Sequence, residues 1–395
     1  MRILWFSVTP SLFNPHSNGH NGGGWIASLE RIVQEVPDVE LGVAFNFPNS
    51  IFCYEKGKTI YYPITQGNLK TYKRIITDFK PDLIQIFGSE NEFGVICGET
   101  DIPVVIHIQG CLPPYHNALF PVGMSSIDFF TQKGLSWRYR YIGLRSESAF
   151  RKNAEKEINT IQHCRYFMGR TDWDKGLIDL FHPGATYFHC EEALRDSFLQ
   201  GKERWSWQTG QKKIFVSVIS RPWYKGCDLI LKTAQLLCRF TDFDFEWQVY
   251  GIPEMLFFEH KYGIKAEQVH VKIMGTVSSE DLVEAICKAS CYVHTSYIDN
   301  SPNSLCEAQI LGAPVLATHV GGISSLIKDG VSGILFPAND PYTLATLLKK
   351  IVQEKGLAEA LGNEARKQAL QRHNPEHIKQ TLVQIYRRII NESNR

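Results

Sequence analysis

Short runs of apolar, mostly β-branched or aromatic residues recur along this chain, each followed by a stretch with helical spacing. That alternation restricts the possible fold more than any other feature. In the first half the runs fall at residues 2–8, 41–45, 82–87, 104–108 and 166–168. Two of them, LIQIF and VVIHI, are apolar at nearly every position, as strands are when helices cover both faces of a parallel sheet. Residues 201–213, GKERWSWQTGQKK, lose the apolar period, and IFVSVIS then opens a second series that runs on through FEWQVYG, VHVKIMG, CYVHTS and PVLATH. The expectation is an α/β protein of two Rossmann-like domains, 1–205 and 206–374, facing a central cleft. The last segment, 375–395, begins at Pro375 and spaces Ile378, Leu382, Ile385, Tyr386 and Ile389 as a helix does. It is expected to cross back and pack on the first domain.

Composition narrows the function classes. A chain of 395 residues that is 44% hydrophobic and 21% charged has material for sizeable cores in two domains, which excludes disorder. Lys plus Arg number 42 against 41 for Asp plus Glu, so a net charge of +1 supplies no global field for nucleic acid, and any anion site must be local. Ten cysteines are scattered without a CxxC pair, which argues against zinc. The opening MRILWFSVTP reads as a first strand rather than an export signal, and with free thiols it gives a cytoplasmic expectation. No apolar run reaches the roughly 18 residues of a spanning helix.

The most informative segment is 295–336, TSYIDNSPNSLCEAQILGAPVLATHVGGISSLIKDGVSGILF. A strand ends, Asp299 falls in the turn, and Ser301 and Pro302 open a helix whose first turns carry Asn303, Ser304, Leu305 and Glu307. Amides at such a helix start attract anions, and the two acids can accept hydrogen bonds from hydroxyl groups. Taken alone, Asp299 and Ser301 would read as helix caps and Glu307 as a solvated helix residue. A second element, SVISRPWYKGCDLILKTAQLL, carries a strand into Arg221 and Lys225 at the carboxyl edge of a parallel sheet, where open α/β folds bind ligands. Two cations there suit a leaving group that gathers negative charge, although on a turn they also read as exposed surface. In the first half, Gly22, Gly23 and Gly24 precede a helical pattern, and glycines let a backbone approach a ligand closely. Alone, the triplet reads equally as a surface loop.

With two acids separated by seven residues ahead of a small-residue helix and a GGI turn, the segment resembles the family 4 retaining glycosyltransferases. Gly312, Gly321, Gly322 and Gly333 fall at family-like places, and Lys225-Gly226 matches the family's Lys-Gly loop. Asp299 stands where the family usually has the longer Glu. The resemblance implies a GT-B fold and transfer of a hexosyl or N-acetylhexosaminyl group, with retention, from a UDP- or GDP-sugar to a saccharide or lipid-linked acceptor, with neither cofactor nor metal. It places Asp299 on the transferred sugar and Glu307 on the ribose. Ser301, Asn303, Ser304 and Leu305 then face the diphosphate, with Arg221 and Lys225 on the leaving group. Thr276 belongs to the loop that reads the base, and Gly23 and Gly24 to a second phosphate cradle. The family's His at the end of a first-domain strand is replaced by Gln109 in PVVIHIQG, and His107 lies two residues earlier, where a lone His in an apolar strand also reads as a core residue. In retaining enzymes of this type the departing phosphate is thought to take the proton from the incoming hydroxyl, so that His is dispensable.

The run 168–198 resembles a block found in a bacterial surface-polysaccharide branch of the family. The region 111–141 is rich in aromatics and ends in Trp137, Arg138, Tyr139, Arg140 and Tyr141. Such a surface can rest at a lipid interface, or its aromatics can pack inward. The triplets at 172–174 and 242–244 look like metal-binding DxD motifs but lack that context, and Asp172 reads as a helix N-cap. Two other readings stay open, a sugar-nucleotide epimerase on the same fold and a non-catalytic nucleotide-sugar binder. A Rossmann dehydrogenase is disfavoured because no GxGxxG follows the first strand.

Overall fold

In the computed structural model the described residues are 1–13, 24–47, 53–131, 137–220 and 223–393. The chain divides into two units, one of Met1–Leu112, Asn153–Arg195 and Arg372–Arg395, the other of Pro113–Lys152 and Asp196–Gln371. Each is built on its own sheet.

The first unit holds eight strands: β1 Arg2–Ser7, β2 Glu40–Asn46, β3 Tyr54–Lys56, β4 Thr59–Ile64, β5 Leu83–Phe87, β6 Val104–His107, β7 Tyr166–Gly169 and β8 Thr186–His189. Their order is β3-β4-β2-β1-β5-β6-β7-β8, parallel throughout except for the β3–β4 hairpin. The chain winds outward from β1 in one direction and then returns to β5 on its other side, so the strand order reverses between β1 and β5. Every residue of β5 is buried, as its unbroken apolar run requires of a strand covered on both faces. The helix Pro375–Ser393 closes this core with Ile378, Leu382, Ile385, Tyr386 and Ile389, the face read from the sequence. The Tyr386 hydroxyl accepts from Trp5 Nε1 at 3.0 Å and donates to the buried Gln85 of β5, which ties the last helix to the middle of the first sheet. The C-terminal segment therefore belongs to the first unit.

The second unit holds β9 Lys213–Val218, β10 Phe245–Tyr250, β11 Val271–Gly275, β12 Cys291–His294, β13 Val315–Thr318 and β14 Ile334–Phe336. They form a wholly parallel sheet in the order β11-β10-β9-β12-β13-β14, the doubly wound Rossmann arrangement, with its reversal between β9 and β12. Phe120 and Met124, which precede this series by many residues, pack into its hydrophobic core. So do Trp205 and Trp207 of the unpatterned stretch. The Trp205 amide donates to Leu311 O at 2.9 Å and its indole to Ala289 O at 2.6 Å, which explains why the segment after Asp196 clusters with the second sheet.

Candidate functional site

Open α/β sheets bind ligands outside the carboxyl ends of the strands where the strand order reverses. In the second unit that point lies between the loops that follow β9 and β12, and these loops carry Lys225 and Asp299. They are stitched together at close range. Thr295 Oγ1 donates to Lys225 O at 2.8 Å, and the Tyr297 amide donates to Tyr224 O at 2.7 Å. Gly226 makes the approach possible: it adopts φ 76° and ψ 34° at the N-terminus of the helix Cys227–Phe240, and a Cβ there would lie 2.1 Å from Thr295 O. Gly321 does the same for the next turn. Its φ is 52°, a Cβ would lie 1.9 Å from Asp299 O, and the Gly322 amide donates to that oxygen at 3.0 Å. Two of the glycines read as family-like are thus steric requirements of the loop that holds Asp299.

The Asp299 carboxylate is 5% exposed and turned inward. Its Oδ2 forms an ion pair with Lys225 Nζ, lies 2.9 Å from His294 Nε2 and accepts from Ser296 Oγ at 3.2 Å, while Oδ1 accepts from Tyr115 OH at 3.3 Å. Burial raises its pKa, but the Lys225 charge and the His294 hydrogen bond outweigh burial and hold the carboxyl well below the usual carboxylate range. His294 is lowered as well, but with burial as the cause: burial lowers it, Asp299 opposes the shift, and Lys225 adds to it. The side chains of Asp299, Lys225 and His294 thus meet in one buried cluster.

Asp299 caps no helix. The helix Asn303–Leu311 has Pro302 at its N-cap with no side-chain cap bond. Glu307 is 2% exposed and lies inside the unit, so the solvated-helix reading does not hold for it. Leu305 is fully buried, Ser304 Oγ accepts from Tyr292 OH at 2.9 Å, and Ser301 and Asn303 sit half-buried at the helix start. Apart from this group, Thr276 is exposed just after β11. Nearby, Gly251 at φ 94° lets the edge after β10 close on Ile219 O, which a Cβ would meet at 2.4 Å. Arg221 and Gly23 lie outside the described residues, as does Gly22.

In the first unit, Gln109 follows the end of β6 and donates through Nε2 to Glu192 Oε1 at 2.8 Å. Glu192 also pairs with Arg170 across 3.2 Å, and both are buried. His107 is 1% exposed, with its ring edge-on to Trp25 at 5.6 Å and tilted on Phe87 at 5.9 Å. Its Nε2 lies 3.9 Å from Glu192, and burial, then the Arg170 charge, push it down to about 3. Gln109 therefore reaches the partly exposed edge of this cluster and His107 its interior. Gly24 begins the helix Gly24–Gln34, where a Cβ would touch the Arg195 side chain at 3.0 Å.

One assignment changes. Thr171, not Asp172, caps the helix Asp172–Phe181: its hydroxyl accepts from the Asp174 amide at 3.0 Å and the Asp174 carboxylate accepts from the Thr171 amide at 3.3 Å. The reciprocal Thr-x-x-Asp pairing satisfies two amides where an Asp172 cap would satisfy one. Among the described residues no group of three or more His, Cys, Asp or Glu side chains is arranged to hold a metal ion. Trp137–His163 is one long helix, and the side chains of its first residues, the basic-aromatic cluster, lie outside what is described.

Spacing did not reveal His294, Ser296, Tyr115, Glu192 or Arg170. His294 carried a faint signal as a lone imidazole at the end of an apolar strand five residues before Asp299. Tyr115 carried none.

Comparison with known proteins bears on this geometry. Residues 200–368 match the sequence model of the family described as Glycosyl transferases group 1. A D-inositol 3-phosphate glycosyltransferase of Nocardioides sp. is 31% identical over 118 residues, which are 30% of this chain and 26% of that relative, so the likeness spans about a quarter of the relative's length. Among solved structures, sucrose-phosphate synthase from Thermosynechococcus elongatus superimposes with a TM-score of 0.73 at 14% identity, covering 99% of each chain. Anabaena Alr3699/HepE in complex with UDP-glucose does so with a TM-score of 0.67 at 14% identity, over 98% of this chain and 99% of that one. The chain thus has the GT-B fold, and its residues 200–368 are similar to the glycosyl transferases group 1 family.

Proposed function

We infer that the protein is a retaining glycosyltransferase, which moves a hexosyl or N-acetylhexosaminyl group from a UDP- or GDP-sugar to a saccharide or lipid-linked saccharide acceptor in surface-polysaccharide synthesis. One observation carries this reading: the Lys225–Asp299 ion pair at the strand-order reversal of the second sheet, beside the start of the helix that buries Glu307. The group 1 match over this region and the UDP-glucose complex of the HepE neighbour support it.

In this mechanism the sugar C1–O bond to the diphosphate breaks and a C1–O bond to the acceptor hydroxyl forms on the same face. The hydroxyl proton passes to the departing diphosphate. Lys225 and Arg221 neutralise the charge that grows on that leaving group, and the amides at Asn303 and Ser304, with the Ser301 hydroxyl, bind it beside Leu305, whose own amide donates to Pro302 O at 3.1 Å. A fixed cation aimed at developing charge accelerates the chemical step because it needs no reorganisation when the bond breaks. Asp299 holds Lys225 through Oδ2 and offers the spare lone pair of Oδ1 to a sugar hydroxyl. Glu307 takes the ribose hydroxyls and Thr276 marks the base loop. Gly23 and Gly24 form the second phosphate cradle. On the acceptor side Gln109 makes the contact, with His107 behind it. No metal takes part. The enzyme works in the cytoplasm, at the inner face of the membrane when the acceptor is lipid-linked, and among the described residues no helix is long and apolar enough to cross a membrane.

Thermal-shift titration with UDP, GDP and ADP tests the donor site, since a ligand that binds only the native state raises its melting temperature. Transfer from the matching nucleotide sugar to a lipid-linked acceptor, with retained configuration by NMR, tests the reaction. No stabilisation by any of the three nucleotides would overturn the reading, and conversion of nucleotide sugar without acceptor would identify an epimerase.

A further inference from the structure

Tyr115 takes no part in the chemistry above, yet it touches the residues that do. It lies in the helix Leu112–Asn117, is 8% exposed, and meets the ring of Tyr224 edge-on at a centroid distance of 5.0 Å. Tyr224 in turn has the Lys225 ammonium 5.6 Å from its ring centre. The Tyr115 hydroxyl makes two hydrogen bonds of opposite sense: it accepts from the Asn300 amide at 3.1 Å and donates to Asp299 Oδ1 at 3.3 Å.

A phenol has one proton to give, so both bonds together fix its direction. They also fix what it holds. Lys225, His294 and Ser296 converge on Oδ2, whereas Tyr115 holds Oδ1. With both oxygens held, the carboxylate cannot turn about its Cβ–Cγ bond without losing a partner. Its backbone cannot shift either without pulling the Asn300 amide off the same hydroxyl.

We propose that Tyr115 is a positioning residue of the donor site: by holding Oδ1 of Asp299 and the following amide, it keeps Oδ2 where it aims Lys225 at the leaving diphosphate. The inference rests on the transferase reading. It assigns the hydroxyl a role that the ring does not have, because the ring packs on Tyr224 with or without it.

Three variants test this. Tyr115→Phe keeps the ring and removes the hydroxyl. It is expected to lower kcat by about 10-fold or more while leaving the donor KM and the nucleotide Kd within about 2-fold, the pattern of an interaction that matters in the transition state. In an Asp299→Asn background the same change should cost less than about 2-fold further, since residues that act through one another are not additive. Tyr115→Gln, whose amide can donate to the carboxylate and accept from Asn300, should recover part of kcat and also serves where the Phe variant folds poorly, with melting curves of each variant to separate lost fold from lost turnover. Wild-type kcat in the Phe variant, or losses that multiply with Asp299→Asn, would overturn the proposal. A wild-type protein that neither binds nucleotide nor transfers sugar would instead overturn the reading on which it rests, and the inference with it.

Discussion

Replacing Gly226 by Ala is the sharpest structural test of how the loops that carry Lys225 and Asp299 are assembled. A non-glycine residue in the left-handed region costs about 1–2 kcal/mol. The new Cβ would also sit 2.1 Å from Thr295 O, where contacts under 3.0 Å essentially never occur, so the two loops must part by most of an ångström. That separation strikes at Thr295 Oγ1 to Lys225 O and Tyr297 N to Tyr224 O, now 2.8 and 2.7 Å. With a net worth of about 1 kcal/mol for each bond, the total loss comes to about 3–4 kcal/mol. Gly263 is the internal control: its φ is 66°, but a Cβ there would meet nothing within 4 Å, so Gly263→Ala should cost only the backbone contribution. Urea unfolding of both variants, compared through midpoints at unchanged slope, measures the difference. Because Lys225 adjoins Gly226, nucleotide stabilisation in a thermal-shift titration should weaken in Gly226→Ala and persist in Gly263→Ala. Equal destabilisation of the two would refute the claim that close approach, rather than φ alone, demands Gly226.

Three further outcomes follow. Lys225→Ala and Glu307→Ala should each lose most turnover, by about 10²–10³-fold for the cation if it stabilises the departing diphosphate, and near-normal steady-state rates in either would reject its role. His107 is held down at about 3 by burial and Arg170, so between its ordinary pKa near 6.5 and that value the unfolded chain binds a proton that the folded chain refuses, and stability falls with falling pH. His107→Phe should flatten that acid slope by up to about 1.4 kcal/mol per pH unit, and an unchanged slope would count against the buried, neutral imidazole. Glu157, pushed up to about 8 chiefly by burial, has the opposite sign: the folded state keeps a proton that the unfolded state releases, so stability drops as pH rises from the ordinary carboxyl range to about 8. Glu157→Gln should therefore gain on wild type over that interval and level off above it, and a constant difference across pH would contradict the assignment.

What the sequence revealed and what it hid divide along a physical line. Strands β1, β2, β5, β6 and β7 were legible because burial on both faces leaves an apolar run, and the last helix because its buried face recurs at helical spacing. The hairpin β3–β4 was not, since YEK is polar and TIYYPI carries a proline, and neither was β8, which buries only Phe188 of its four residues. At the site, Lys225, Asp299 and Glu307 sit in local patterns of strand, turn and helix, and those patterns are short enough to read. Their partners are another matter. Lys225 and Asp299 are 74 residues apart and meet only because β9 lies beside β12, a neighbourhood set by sheet order and by nothing in either segment alone. Tyr115 reaches Asp299 from 184 residues away, out of a stretch with no apolar period to announce it. Glu192 likewise joins Gln109 across 83 residues. The groups proposed to touch substrate thus lie in local motifs, because a ligand is gripped by consecutive atoms of a turn. The groups that orient them come from wherever the topology delivers a side chain, so strand order must be known before they can be named.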